Sequence, residues 1–113
     1  MQAKGGLAAW QQVVVAAYME KHIGESITVR ALARFVYLSS NCFGRAFKRS
    51  FGMPPHRYLV HRRIERAKAL LASTAWSITE IGLALGFSQT SSFSAAFRNV
   101  TGITPTEYRR IQQ

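Results

Sequence analysis

Acidic side chains are scarce in this chain: five Asp+Glu stand against fifteen Lys+Arg, for a formal net charge of +10. The acids are scattered, and no nucleophile, base and orienting group fall into a catalytic pattern, so the reading excludes an enzyme. A single cysteine, Cys42, rules out an intrachain disulfide and fits a reducing compartment. His56 and His61 are five apart without thiolates or clustered carboxylates beside them, so neither zinc nor any other cofactor is expected. Long apolar runs are missing too. The longest, Val13 to Met19, has seven residues, whereas a membrane span needs about 20. Residues 1–6 lack the charged, apolar and small-residue regions of a secretory signal, and a cytoplasmic location is expected.

What is present is enough to fold. Apolar residues make up 48% of 113 positions and aromatics 12%, too much for disorder at this charge and suited to one domain. The excess charge is local. Between Arg30 and Arg66 nine basic residues (Arg30, Arg34, Arg45, Lys48, Arg49, Arg57, Arg62, Arg63, Arg66) face one acid, Glu65, a net +8; the rest of the chain carries +2. Such a segment suits a run of phosphates.

Apolar positions recur at three and four rather than two, so the chain reads as all-α. A first helix is predicted from Leu7 to His22, with Leu7, Trp10, Val14 and Tyr18 as its inward stripe. Thr28 caps a short helix to Val36, with Leu32 and Phe35 inward. Ser39 caps a helix that carries Phe43 and Phe47 and stops near Gly52. Pro54-Pro55 open a helix to Ser73, and the Ser77-x-x-Glu80 capping box starts another that Gly86 ends. A further helix carries Phe93 and Phe97 to Gly102, and Thr104-Pro105 start a last one through Tyr108 to Ile111. Seven helices are expected.

The second half repeats the first. At an offset of 49, Thr28, Leu32, Ala33, Val36, Leu38 and Ser39 correspond to Ser77, Ile81, Gly82, Leu85, Phe87 and Ser88. After one inserted residue, Phe43, Ala46, Phe47, Lys48, Gly52, Pro55 and Tyr58 match Phe93, Ala96, Phe97, Arg98, Gly102, Pro105 and Tyr108. Each unit has the ingredients of a helix-turn-helix, with Ala33 and Gly82 where two helices approach closely and the phenylalanines as core. The expected organisation is one domain, 1–113, with helix-turn-helix subdomains at 7–52 and 77–113 joined by a linker helix at 55–73. A 19-residue helix is about 28 Å long at 1.5 Å per residue, and major-groove faces of B-DNA recur about 34 Å apart. Two reading helices on such a spacer suit adjacent major-groove segments of one duplex; A-form RNA hides that groove.

The pattern resembles the DNA-binding domain of the AraC/XylS family of bacterial transcriptional regulators. It is carried by Leu32-Ala33, Leu38-Ser39, Phe47-Lys48 through Gly52, the linker run Arg63 to Leu71, and Ile81-Gly82, Gly86-Phe87-Ser88, Phe93-Ser94, Phe97-Arg98 and Gly102 through Arg109. The resemblance implies sequence-specific binding of double-stranded DNA, usually by a promoter activator. It also implies base contacts from Ser40, Asn41, Gly44 and Arg45 on the first reading helix, and from Gln89, Thr90, Ser91, Ser92, Ser94 and Ala95 on the second. Lys48 and Arg49, with Arg30 and Arg98, fall to phosphates. Ala95 stands where many members carry arginine and Gly44 where others have a longer polar group, so the first unit is expected to supply most of the discrimination.

RNA polymerase is a further candidate partner. An effector or dimerisation domain does not fit within these residues, and Gly5 to Gln11 resemble the join seen in longer members, so an excised piece is favoured over a small complete regulator. The alternative function is a sequence-neutral architectural binder of nucleic acid, which would rely on charge and intercalating wedges.

Overall fold

The computed structural model describes residues 5–113. Every regular element among them is a helix: α1 (Ala9–Lys21), α2 (Val29–Phe35), α3 (Ser40–Phe51), α4 (Pro55–Ser73), α5 (Ile78–Ala84), α6 (Thr90–Thr101) and α7 (Pro105–Gln112). None of them is long and apolar enough to cross a membrane. The chain divides into two compact units. The first holds α1, α2, α3 and the start of α4 as far as Leu59; the second holds the rest of α4, α5, α6 and α7, together with the short stretch Ile23–Glu25.

Local chemistry sets the helix starts. The Thr28 hydroxyl accepts from the Ala31 N–H at 3.1 Å, and the Ser39 hydroxyl from the Cys42 N–H at 3.2 Å. Ser77 with Glu80, and Thr104 with Glu107, form reciprocal capping boxes. Helices α2 and α5 sit 49 residues apart and α3 and α6 sit 50 apart, so the inserted residue falls in the turn before α6. There the cap is Gln89, without a side-chain bond, rather than Ser88, the counterpart of Ser39.

The two turns share their hydrogen bonds: Leu38 N–H donates to Ala33 C=O in one and Phe87 N–H to Gly82 C=O in the other, both at 3.0 Å. Each turn also needs a left-handed residue, Tyr37 at φ 60° and Gly86 at φ 92°. At 37 a tyrosine takes this conformation, its side chain projecting into solvent, 87% exposed. At 86 a Cβ would lie 2.8 Å from the Arg63 guanidinium, so glycine is required twice over.

In the first unit Phe43, Phe47, Leu32, Ala33, Val36, Val15 and Met19 are buried. Fully burying each phenylalanine contributes roughly 1.5–3 kcal/mol. The stripe expected on α1 is corrected in part: Leu7 is buried and Tyr18 half-buried, but Gln11, Val15 and Met19 form the inner face of the helix, while Trp10 and Val14 are exposed. Helix α1 is apolar on several sides, so periodicity does not select its inner face. The amide of Gln11 does, accepting from Ala8 N–H at 2.8 Å and donating to the buried Val36 carbonyl at 3.2 Å. Phe35 is likewise exposed rather than inward and lies 4.6 Å from the Tyr18 ring; Val36 takes the buried place. Helix α1 also stops one residue short of His22 and starts two after Leu7.

In the second unit Ile64, Ala67 and Leu71 of α4 join Ile81, Leu85, Phe93 and Phe97 in the core. Gly82 lets α5 approach α6: a Cβ there would stand 3.0 Å from the Phe93 side chain. Two arginines hold backbone. Arg63, counted above among the phosphate-suited charges, is only 8% exposed and donates from Nε to Ile23 C=O and from Nη2 to Glu25 C=O, both at 2.8 Å. Its guanidinium lies 5.9 Å from the centre of the Phe87 ring, and burial draws its pKa below the ordinary value. Arg109 donates to Leu71 C=O at 3.1 Å and Thr74 C=O at 3.3 Å, capping the end of α4.

Arg63→Ala should lower the unfolding free energy by about 2–4 kcal/mol, because two charge-assisted bonds vanish and buried carbonyls lose their donors. Arg57→Ala, on an exposed position of the same helix, should cost under about 0.5 kcal/mol. Denaturant titration of the two variants measures the difference. The capping boxes predict an acid limb. Bonds from the Ser77 and Thr104 backbones, then their side chains, hold Glu80 and Glu107 below the usual carboxylate range. A depressed folded-state pKa gives stability that is complete above the unfolded pKa and lost as pH falls through the folded one. The double variant Glu80→Gln, Glu107→Gln should therefore show a flatter fall in Tm on acidification.

Candidate nucleic-acid interface

Burial of Phe43, Ala46 and Phe47 fixes the rotation of α3 about its axis. The opposite side then presents Asn41, Arg45 and Lys48, at i, i+4 and i+7, all exposed. Ser40 and the half-buried Gly44 border this row on one side, Cys42 and Arg49 on the other. In α6 the burial of Phe93 and Phe97 leaves Ser91, Ala95 and Arg98 as the matching outward row, bordered by Thr90 and Ser94 on one side and Ser92 on the other. The predicted base-reading residues are thus gathered on the outer halves of two helices, with Gln89 exposed at the N-cap of α6.

The rows differ in chemistry. The α3 surface carries three cations, Arg45, Lys48 and Arg49; the α6 surface carries Arg98 and short hydroxyls. Arg45 and Arg49 line a cavity of about 260 Å³ with Cys42, Gln11, Leu38 and the Gly5–Gly6 backbone. Gly5 packs so tightly on the Arg49 side chain that a Cβ would come within 2.7 Å of it. Cys42 itself is exposed and carries a free thiol.

Some hydroxyls already have partners. Thr90 Oγ1 shares a 2.8 Å hydrogen bond with Thr79 Oγ1, which ties α6 to α5, and Ser91 Oγ donates weakly to Gln89 Oε1 at 3.4 Å. Arg98 lies close enough to Glu107 to help hold that carboxylate's pKa down, behind the larger effect of the Thr104 cap. Arg30, exposed near the start of α2, stands outside both α3 and α6. Sequence reasoning missed Asn99, exposed on α6 beside Arg98; its place 50 residues after Arg49 is the signal that marks it. It also missed Thr79, which no motif singles out.

Residues 32–111 match a family described as a helix-turn-helix domain. This match, running from within α2 through the linker to within α7, decides the assignment. The chain belongs to the AraC-type helix-turn-helix family. It is 35% identical over 97 residues to the probable transcriptional regulator LumQ of Photobacterium leiognathi, covering 86% of this chain and 39% of LumQ. Among solved structures it resembles an AraC-type transcriptional regulator from Chromobacterium violaceum, with TM-score 0.85, 36% identity and coverage of 90% and 91% of the two chains. It also resembles the DNA-binding domain of AdpA in complex with a target DNA, with TM-score 0.83, 29% identity and coverage of 88% and 89%. Its AraC-type relatives are transcriptional regulators, not enzymes. The chain spans well under half the length of the curated relatives it matches.

Proposed function

We propose that this AraC-type chain binds double-stranded DNA sequence-specifically as part of a bacterial transcriptional activator in the cytoplasm, with RNA polymerase as its protein partner at the promoter. Helices α3 and α6 enter successive major-groove segments. Ser40, Asn41, Gly44 and Arg45 read bases from the first; Gln89, Thr90, Ser91, Ser92, Ser94 and Ala95 meet them from the second. Arg30, Lys48, Arg49 and Arg98 contact phosphates. The observation that carries this reading is the exposed row Asn41, Arg45 and Lys48, aimed outward by a fully buried Phe43–Phe47 ridge. The AdpA domain, similar over nearly its whole length, is solved on a target DNA, which supports the same partner here.

The rows imply unequal roles. A guanidinium at 45 can donate both its bonds to guanine O6 and N7, a discrimination of about 1–3 kcal/mol. Ala95, its counterpart 50 residues on, offers only a methyl group, which suits thymine or simple fit. The first unit therefore supplies base discrimination and most of the electrostatic affinity, while the second adds hydroxyl contacts and fit to DNA shape.

Binding titrations on an optimal duplex test this. Arg45→Ala should cost about 1–3 kcal/mol and relax preference at one base pair, whereas Lys48→Ala should weaken all sequences alike and lower the salt slope by about one. Unchanged affinity for Arg45→Ala would remove the assignment, and an equal loss from Ser91→Ala would remove the asymmetry. A wild-type chain that binds random and optimal duplexes equally well would favour the architectural alternative.

A further inference from the structure

Gly44 has no reason to be glycine within the fold. It lies in the interior of α3, where glycine is less stable than alanine. Its backbone is helical, and a Cβ built on it would meet nothing within 4 Å. The glycines at 5, 24, 52, 82, 86 and 102 differ: each takes a left-handed backbone or has a neighbour that a Cβ would strike. The counterpart of Gly44 in α6 is Ser94, so the repeated architecture accepts a side chain at this position. Nothing among the described residues calls for glycine at 44, and the place its side chain would take is open.

Its surroundings indicate what fits there. Gly44 borders the outward row between Ser40 and Lys48, one turn before and one after, with Asn41 and Arg45 beside it. Among longer polar neighbours the missing Cβ leaves a shallow notch floored by the Cα and the backbone of α3. The notch offers no free hydrogen-bonding group, because helix-interior N–H and C=O groups are already paired. It suits a small apolar projection. On the major-groove edge of a duplex the group that fits this description is the 5-methyl of thymine.

We propose that Gly44 is a specificity-determining residue whose notch seats a thymine methyl group and lets α3 approach the base edges more closely than any side chain there would allow. This rests on the reading of α3 as a major-groove helix. The test uses a duplex selected by the wild-type chain, with each thymine replaced in turn by deoxyuridine, and compares wild type with Gly44→Ala. Loss of one buried methyl should weaken wild-type binding about fourfold at one position. Gly44→Ala should bind the unmodified site about tenfold more weakly, because the added methyl overpacks the contact, and should no longer sense that deoxyuridine. Its Tm should rise by a few degrees, showing that the variant is folded.

Equal affinity of the two proteins, or the same deoxyuridine sensitivity in both, overturns the proposal. Those results leave the wild-type preference for its selected duplex intact. Loss of that preference in the wild type itself would instead mark failure of the underlying DNA-reading assignment.

Discussion

The rotation of two short helices about their own axes is the constraint on which the rest depends. Phe43 and Phe47 in α3, and Phe93 and Phe97 in α6, are fully buried, and each pair sits one helical turn apart. A helix anchored along one such ridge has a single face left for solvent. The anchoring is reinforced by rings from the next helix in each unit: Tyr58 meets Phe47 edge-on at 5.4 Å, and Tyr108 meets Phe97 edge-on at 5.6 Å. Removing either ridge would leave outward residues with no defined direction, however suitable their chemistry.

The second theme is the division of the cations into two kinds of work. With net charge +10, the chain is under self-repulsion, and it commits Arg63 and Arg109 to backbone carbonyls rather than to the surface. Arg63 ties Ile23 and Glu25 to α4 and fills the space beside Gly86; Arg109 closes the carbonyl end of α4. The cations of α3 stay outside. Between the two recognition candidates the exposed charge is unequal, with Arg45, Lys48 and Arg49 on α3 against Arg98 on α6.

How much of this was legible follows from the range of the interactions. Caps at Thr28, Ser39, Ser77 and Thr104 involve partners three residues away, so their signals sit in the sequence itself. The Phe ridges repeat at i and i+4 and again 50 residues later, so two independent copies point to the same inward face. The inner side of α1 was not legible, because Trp10 and Val14 are as apolar as Val15 and Met19, and the choice is made by Gln11 reaching the carbonyl of Val36, 25 residues on. Arg63 could not be told from a phosphate-binding arginine, since its carbonyl partners lie about forty residues earlier. For the candidate site, helix periodicity marks the outer halves of α3 and α6, but it does not show that Thr90 is engaged by Thr79.

The central claim is that two helices of one chain inspect neighbouring windows of one duplex. Hydroxyl-radical footprinting of the chain on a duplex taken from random-library selection measures this most directly. The account predicts two protected windows centred about one helical turn, roughly 10 base pairs, apart on one face of the DNA. A single window, two windows on opposite faces, or uniform protection along the duplex would contradict it.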